Sequence, residues 1–185
     1  MKDLINSSLK SHAEALKLID KKQIHQASAL IKKSLSESNT IFWCGNGGSA
    51  SQANHLSAEL IGGMYKDKKS PLKSVCLNVD TAFMTAWSND DSFDNIFTRQ
   101  LEGLAQSDDI LIALSTSGNS RNIINAAKYC NDNNIRIISL TGFEGGTLKN
   151  LSDVNINISA NSTQRIQEMH ILVGHILCDI VEHSF

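Results

Sequence analysis

His55 and Glu59 stand four residues apart, a spacing that puts both side chains on one face of a helix. An imidazole and a carboxylate so placed can share a divalent metal or act as an acid–base pair. A solvent-facing polar pair has the same spacing, so these two residues alone leave the choice open. Gln167 and His175 lie eight residues apart near the chain's end, separated by about 12 Å of helical rise and about 80° of rotation. They can reach one metal only if extended side chains converge on it. Around them Ile166, Met169, Leu172, Val173, Ile176, Leu177 and Ile180 are apolar. That predicts a buried helix, in which polar side chains need partners.

A different chemistry is written in Ser115-Thr116-Ser117-Gly118-Asn119-Ser120. Hydroxyls, a glycine and an asparagine precede a helical pattern, and the segment holds no Lys or Arg. Short hydroxyl and backbone N–H donors at a helix start suit a phosphate group. A serine-rich turn with Ser120 as a helix cap is the plainer alternative. Gly45-Asn46-Gly47-Gly48-Ser49 is a second such loop, able to turn tightly and bring backbone close to a ligand. It is not the dinucleotide pattern GxGxxG, and Asp80 is the only acidic residue near the end of the next strand. Asn89-Asp90-Asp91 could bind sugar hydroxyls, since an amide donates and accepts and a carboxylate accepts; a simple turn reads the same way.

These loops need a scaffold. Residues 1–38 read as helical, with Leu4, Leu9, Ala13, Leu16, Ile19 and Ile24 as one apolar stripe and Ala27, Leu30, Ile31 and Leu35 as another. From residue 39 short apolar runs alternate with helical patterns. Strands are expected at Thr40–Cys44, Ser74–Asn78, Asp109–Leu114, Ile135–Leu140 and Val154–Ile158. Helices are expected at Ala50–Leu60, Thr81–Ser88, Ser92–Leu104, Ser120–Asn131 and Gln164–Glu182, with a loop over Lys66–Lys73. This order predicts an α/β sandwich of three layers: a five-stranded parallel sheet with helices on both faces and the N-terminal helices added. Ligands of such sheets bind beyond the carboxyl ends of the strands, where the loops above fall. The expectation is one domain over residues 1–185, a helical segment 1–38 followed by an α/β core 39–185.

The 185 residues carry a formal net charge of −2 and 41% hydrophobic residues. That balance gives no pull toward nucleic acid or an anionic membrane, so an anionic substrate must be captured by local chemistry. No apolar run reaches the roughly 18–20 residues that span a bilayer, and the polar N-terminus lacks a secretory pattern. Cys44, Cys76, Cys130 and Cys178 are widely spaced and form no CxxC pair. They read as buried free thiols in a cytoplasmic protein, which makes the sequons at Asn6 and Asn161 chance matches.

Taken together, Cys44–Ser49 (CGNGGS), His55–Glu59 (HLSAE), Ser88–Asp90 (SND), Ser115–Ser120 (STSGNS), Leu140–Gly142 (LTG), Arg165–Glu168 (RIQE) and Gly174–Leu177 (GHIL) resemble the phosphoheptose isomerase family of sugar isomerase (SIS) domains. The resemblance covers nearly the whole chain in order. It implies the flavodoxin/Rossmann-like SIS fold and a homotetramer with active sites at subunit interfaces. The implied reaction converts sedoheptulose 7-phosphate to D-glycero-D-manno-heptose 7-phosphate through an enediol, toward ADP- or GDP-heptose and bacterial surface polysaccharide. The phosphorylated seven-carbon sugar would be the only partner besides other copies of the chain, with no nucleic acid or membrane. The family's Zn2+ ligands fall on His55, Glu59, Gln167 and His175, and its acid–base pair on Glu59 and His175. Its substrate contacts fall on Asn46, Gly47, Gly48, Glu59, Asn89, Asp90, Ser115, Thr116, Ser117, Ser120 and Gln167.

Two positions depart from the family pattern. Gly63 stands where many members carry an arginine, a loss that Lys66 or Lys68 could replace, and Gln164 stands where some carry an aspartate. A non-catalytic branch of the same fold, tetrameric and binding a replication-initiator protein, resembles the chain around Arg165–His170 and Leu177–Asp179. That branch lacks the glutamate and the late histidine, both present here. A sugar-phosphate sensor without turnover and an isomerase of another phosphosugar are the remaining expectations.

Overall fold

The computed structural model describes residues 2–65 and 70–185. Five strands, β1 (Ile41–Gly45), β2 (Ser74–Cys76), β3 (Ile110–Ser115), β4 (Arg136–Gly142) and β5 (Val154–Ile158), form one sheet in the order β2-β1-β3-β4-β5. Every neighbouring pair is parallel. The helices are α1 (Lys2–Leu16), α2 (Lys21–Ser36), α3 (Gly48–Gly62), α4 (Thr81–Asp90), α5 (Ile96–Leu104), α6 (Arg121–Asp132), α7 (Leu148–Leu151) and α8 (Thr163–Glu182).

Side chains on a strand alternate faces, and the central strands feed two separate cores. Ile41, Trp43, Ile110, Ile112, Leu114, Ile138 and Leu140 pack with α2, α3 and α8. Phe42, Cys44, Leu111, Ala113 and Ile137 pack with α5, α6 and α7. Strands buried on both faces read as continuous apolar runs, which is why β1 and β3 are plain in the sequence. At the β5 edge one face turns polar. Asn155 donates to the hydroxyls of Ser139 and Thr141 at 2.8 Å, and the Thr141 hydroxyl donates to Asn157 at 2.9 Å.

Several expected boundaries shift. The helix expected over Ser92–Leu104 begins as a 3-10 turn, Phe93–Asn95, before α5, because the Ser92 hydroxyl accepts the Asp94 N–H and tightens the chain there. β2 ends at Cys76, and Asn78, expected as its last residue, leaves the ladder to exchange both amide bonds with Gly45. The single-turn α7 has no counterpart in the sequence reading; four residues carry too little periodicity to see. Residues 66–69 of the expected Lys66–Lys73 loop, with Lys66 and Lys68, lie outside the described residues.

The first apolar stripe does not form one core face. The chain breaks at residues 17–20, where the Asp20 carboxylate caps α2 through Lys22 N–H. Leu4, Leu9 and Leu16 face outward, 71%, 66% and 47% exposed. α1 docks through Ala15, buried with Ile158, Ile166 and Met169, and through polar pairs. His12 Nδ1 meets Glu168 Oε2 at 2.6 Å, Arg165 also pairs with Glu168, and Arg165 donates to Ser8 O at 2.6 Å.

Candidate active site

In a sheet of this order the crossovers run in opposite directions on either side of the β1/β3 boundary, and the ends of those two strands flank a crevice. Gly45 pairs with Leu114 in register, so the glycine loop and the Ser115–Ser120 loop emerge side by side. Reciprocal amide bonds join them: Asn46 Nδ2 donates to Asn122 Oδ1 at 2.8 Å and Asn122 Nδ2 donates to Asn46 Oδ1 at 2.9 Å.

The Ser115–Ser120 loop wraps around its own hydroxyls. Gly118 N–H donates to Ser115 Oγ at 3.2 Å, Asn119 N–H to Ser117 Oγ at 3.1 Å, and the Ser115 and Ser120 hydroxyls lie 3.4 Å apart. Ser120 is the N-cap residue of α6 by position, yet its side chain caps no helix amide. That hydroxyl stays available to a ligand beside the start of α6, where the backbone dipole favours an anion. Ser115 is buried, Thr116 and Ser120 are half-buried and Ser117 is exposed.

His55 and Glu59 come from the middle of α3 and His175 from α8. Their ligand atoms all lie within 4.8 Å of one another. His55 Nε2 is 2.9 Å from His175 Nε2 and 3.2 Å from Glu59 Oε1. Spacing alone leaves the His55–Glu59 pair open; the crossing of α3 and α8 adds His175, giving three side chains that could hold one metal ion. Two imidazole nitrogens and one carboxylate are a donor set suited to Zn2+ with further positions left over, so the residues present fit the metal. Gln167 sits eight residues earlier on α8. Its backbone carbonyl accepts from Gln52 of α3 at 2.7 Å, and its side-chain amide covers Gly48, 2.7 Å from where a Cβ on that glycine would lie. Gln167 thus joins the glycine loop to α8. Asn89 and Asp90 close α4, exposed and hydrogen-bonded to each other at 2.8 Å. Asp80 caps the start of the same helix by accepting the Phe83 N–H.

At the two departures from the family pattern, Gly63 caps α3 by donating its N–H to Glu59 O at 2.8 Å, and Gln164 accepts from the Ser162 hydroxyl at 2.8 Å. Neither disturbs the His55–Glu59–His175 group. Asn78 and Asn122 escaped the sequence reading. Each is one polar residue just beyond a strand or at a helix start, where Asn is common for local reasons, and only the contacts across the chain reveal a role.

A model of the SIS domain matches residues 6–142. The phosphoheptose isomerase of Aliarcobacter butzleri is 43% identical over 187 residues, covering 100% of this chain and 98% of the relative. The chain belongs to the phosphoheptose isomerase family of SIS domains. The structure of the Neisseria gonorrhoeae phosphoheptose isomerase superposes with a TM-score of 0.89 at 36% identity, over 98% of this chain and 96% of the other. That of Francisella tularensis superposes with a TM-score of 0.91 at 32% identity over the same shares. The expected α/β SIS fold is therefore the observed one.

Behind the family's loops lies a buried histidine with a consequence for pH. His170 is fully buried on α8, and its Nε2 donates to Thr141 O at 2.9 Å. Burial holds its pKa down, from 6.5 to about 4, while the bond to Thr141 opposes the shift. The unfolded chain therefore binds the extra proton first as pH falls. Stability from this residue is complete above pH 6.5 and is lost progressively down to pH 4, a drop of about 3 kcal/mol at about 1.4 kcal/mol per unit. In denaturant unfolding, His170→Gln, which keeps a donor for Thr141 but does not titrate, should remove that part of the acid sensitivity.

Proposed function

We propose that this protein is a phosphoheptose isomerase that interconverts sedoheptulose 7-phosphate and D-glycero-D-manno-heptose 7-phosphate. The observation that carries the reading is the approach of His55, Glu59 and His175 to within 4.8 Å on a fold whose adjacent loop is dense in phosphate donors. Ser115, Thr116, Ser117 and Ser120 hold the phosphate end. Asn46, Gly47, Gly48, Asn89, Asp90, Glu59 and Gln167 hold the sugar. Glu59 takes the proton that moves between C1 and C2, and His175 serves the oxygen of the enediol as the partner acid. His55, Glu59, Gln167 and His175 would hold one Zn2+ per subunit, which would supply a positive charge to polarise the substrate's oxygens.

The chain acts as one domain over residues 1–185 and assembles as a homotetramer. The outward Leu4, Leu9 and Leu16 of α1, together with Ile176 and Ile180 of α8, which line an apolar groove with Ile19 and Ile24, support that assembly. No helix among the described residues is long and apolar enough to cross a membrane. All four cysteines are free and buried, which suits the reducing cytoplasm. The product would enter ADP- or GDP-heptose synthesis for surface polysaccharide.

The test is turnover of sedoheptulose 7-phosphate by purified protein with and without a chelator. Turnover that falls at least tenfold on chelation and returns with Zn2+ is expected. Absence of turnover in zinc-replete protein, with tight binding to a replication initiator, would replace this reading with the regulatory one.

A further inference from the structure

We infer that Asn122 is a positioning residue that sets the orientation of Asn46 and so couples the glycine loop to the phosphate cradle. The inference rests on the reading that Asn46 contacts the sugar.

Asn122 is the second residue of α6 and only 2% exposed. A side-chain amide that deeply buried must have its hydrogen bonds made within the protein. Three are made: Oδ1 accepts from Ile123 N–H at 3.0 Å and from Asn46 Nδ2 at 2.8 Å, and Nδ2 donates to Asn46 Oδ1 at 2.9 Å.

The bond from Ile123 decides the polarity of the whole arrangement. A backbone N–H can only donate, so the Asn122 oxygen must face it. Turning the Asn122 amide over would set its NH2 against that N–H. With the Asn122 oxygen and nitrogen so assigned, the partner has one allowed orientation: Asn46 presents Nδ2 to the oxygen and Oδ1 to the nitrogen. An otherwise freely rotating amide in a glycine-rich loop is thereby held by the first turn of the helix that backs the cradle. Asn46 retains one N–H and one lone pair for a ligand, in an orientation that never has to be selected when the ligand arrives. Pre-organised contacts of this kind strengthen binding by removing the ordering cost.

The experiment is a double-mutant cycle with sedoheptulose 7-phosphate. Asn46→Ala and Asn122→Ala should each raise KM about 3- to 10-fold, the worth of one neutral hydrogen bond, with kcat within about twofold. If Asn122 acts through Asn46, the double variant has the KM of Asn46→Ala alone and not the product of the two effects. Asn122→Asp keeps the acceptor for Ile123 and for Asn46 Nδ2, which protects the fold, but sets oxygen against Asn46 Oδ1. It should raise KM at least as far as Asn122→Ala, with thermal unfolding recorded alongside. An unchanged KM in both Asn122 variants, or multiplying effects in the double variant, would overturn the inference. An unchanged KM in Asn46→Ala would instead overturn the substrate-contact reading beneath it.

Discussion

Glu59→Gln should lower kcat for sedoheptulose 7-phosphate by about 10²- to 10⁴-fold, the usual contribution of a positioned proton-transfer group. The amide has the size and shape of the carboxylate, so α3 and its packing against α8 stay as they are. It can still accept a hydrogen bond from His55, now 3.2 Å from Glu59 Oε1, but it cannot take a proton from carbon. KM should move by less than about tenfold, because the proposed phosphate cradle, Ser115–Ser120, lies on other elements. Glu59 is only partly buried, with 23% of its side chain exposed, and the folded state should lose no more than about 1 kcal/mol. Zinc content of the variant separates its two proposed duties. Loss of turnover with zinc retained assigns the proton transfer to Glu59, whereas normal turnover would sink the role.

Gly118→Val is expected to have the largest effect on the fold of the site. Gly118 has φ +64, a conformation costing roughly 1–2 kcal/mol for any residue with a Cβ. The built Cβ would also overlap the carbonyl of Gly145, and that contact is backbone against backbone, so no side chain can swing away. The two loops are stitched at this point: Leu148 N–H donates to Gly118 O at 2.9 Å, and Thr147 donates to Asn119 Oδ1 at 3.0 Å through both its N–H and its hydroxyl. Relief of the overlap must pull the Ser115–Ser120 loop off the Gly145–Gly146 turn. A loss of about 2–4 kcal/mol of stability is expected in denaturant unfolding. A rise in KM of about 10- to 100-fold should accompany it, the worth of one hydrogen bond to a charged phosphate. Wild-type KM in folded Gly118→Val would show that the shape of this loop does not matter for phosphate.

The two predictions act on parts of the molecule that were unequally visible in the sequence. Ser115–Ser120 is a contiguous run, and contiguity is what local reading detects. Its donors, its glycine and its place after the strand expected at Asp109–Leu114 all follow from chain order. The parallel sheet was legible for the same reason: a strand buried on both faces must be apolar at every position, as Ile110–Leu114 is. Boundaries were less legible where a single side chain set them, as Ser92 does by capping the start of the 3-10 turn before α5 and Asn78 does just past β2.

By itself, then, the sequence determined the order of strands and helices, the hydroxyl-rich loop Ser115–Ser120 and the residue types able to do acid–base chemistry. It could not determine that His175 stands 2.9 Å from His55, because 120 residues separate them and only the crossing of α3 and α8 brings them together. Nor could it show Asn122 holding Asn46, which needs β1 and β3 side by side at the sheet's switch point. Chemistry between residues distant in the chain depends on how helices pack on a sheet, and packing is settled by the whole core at once.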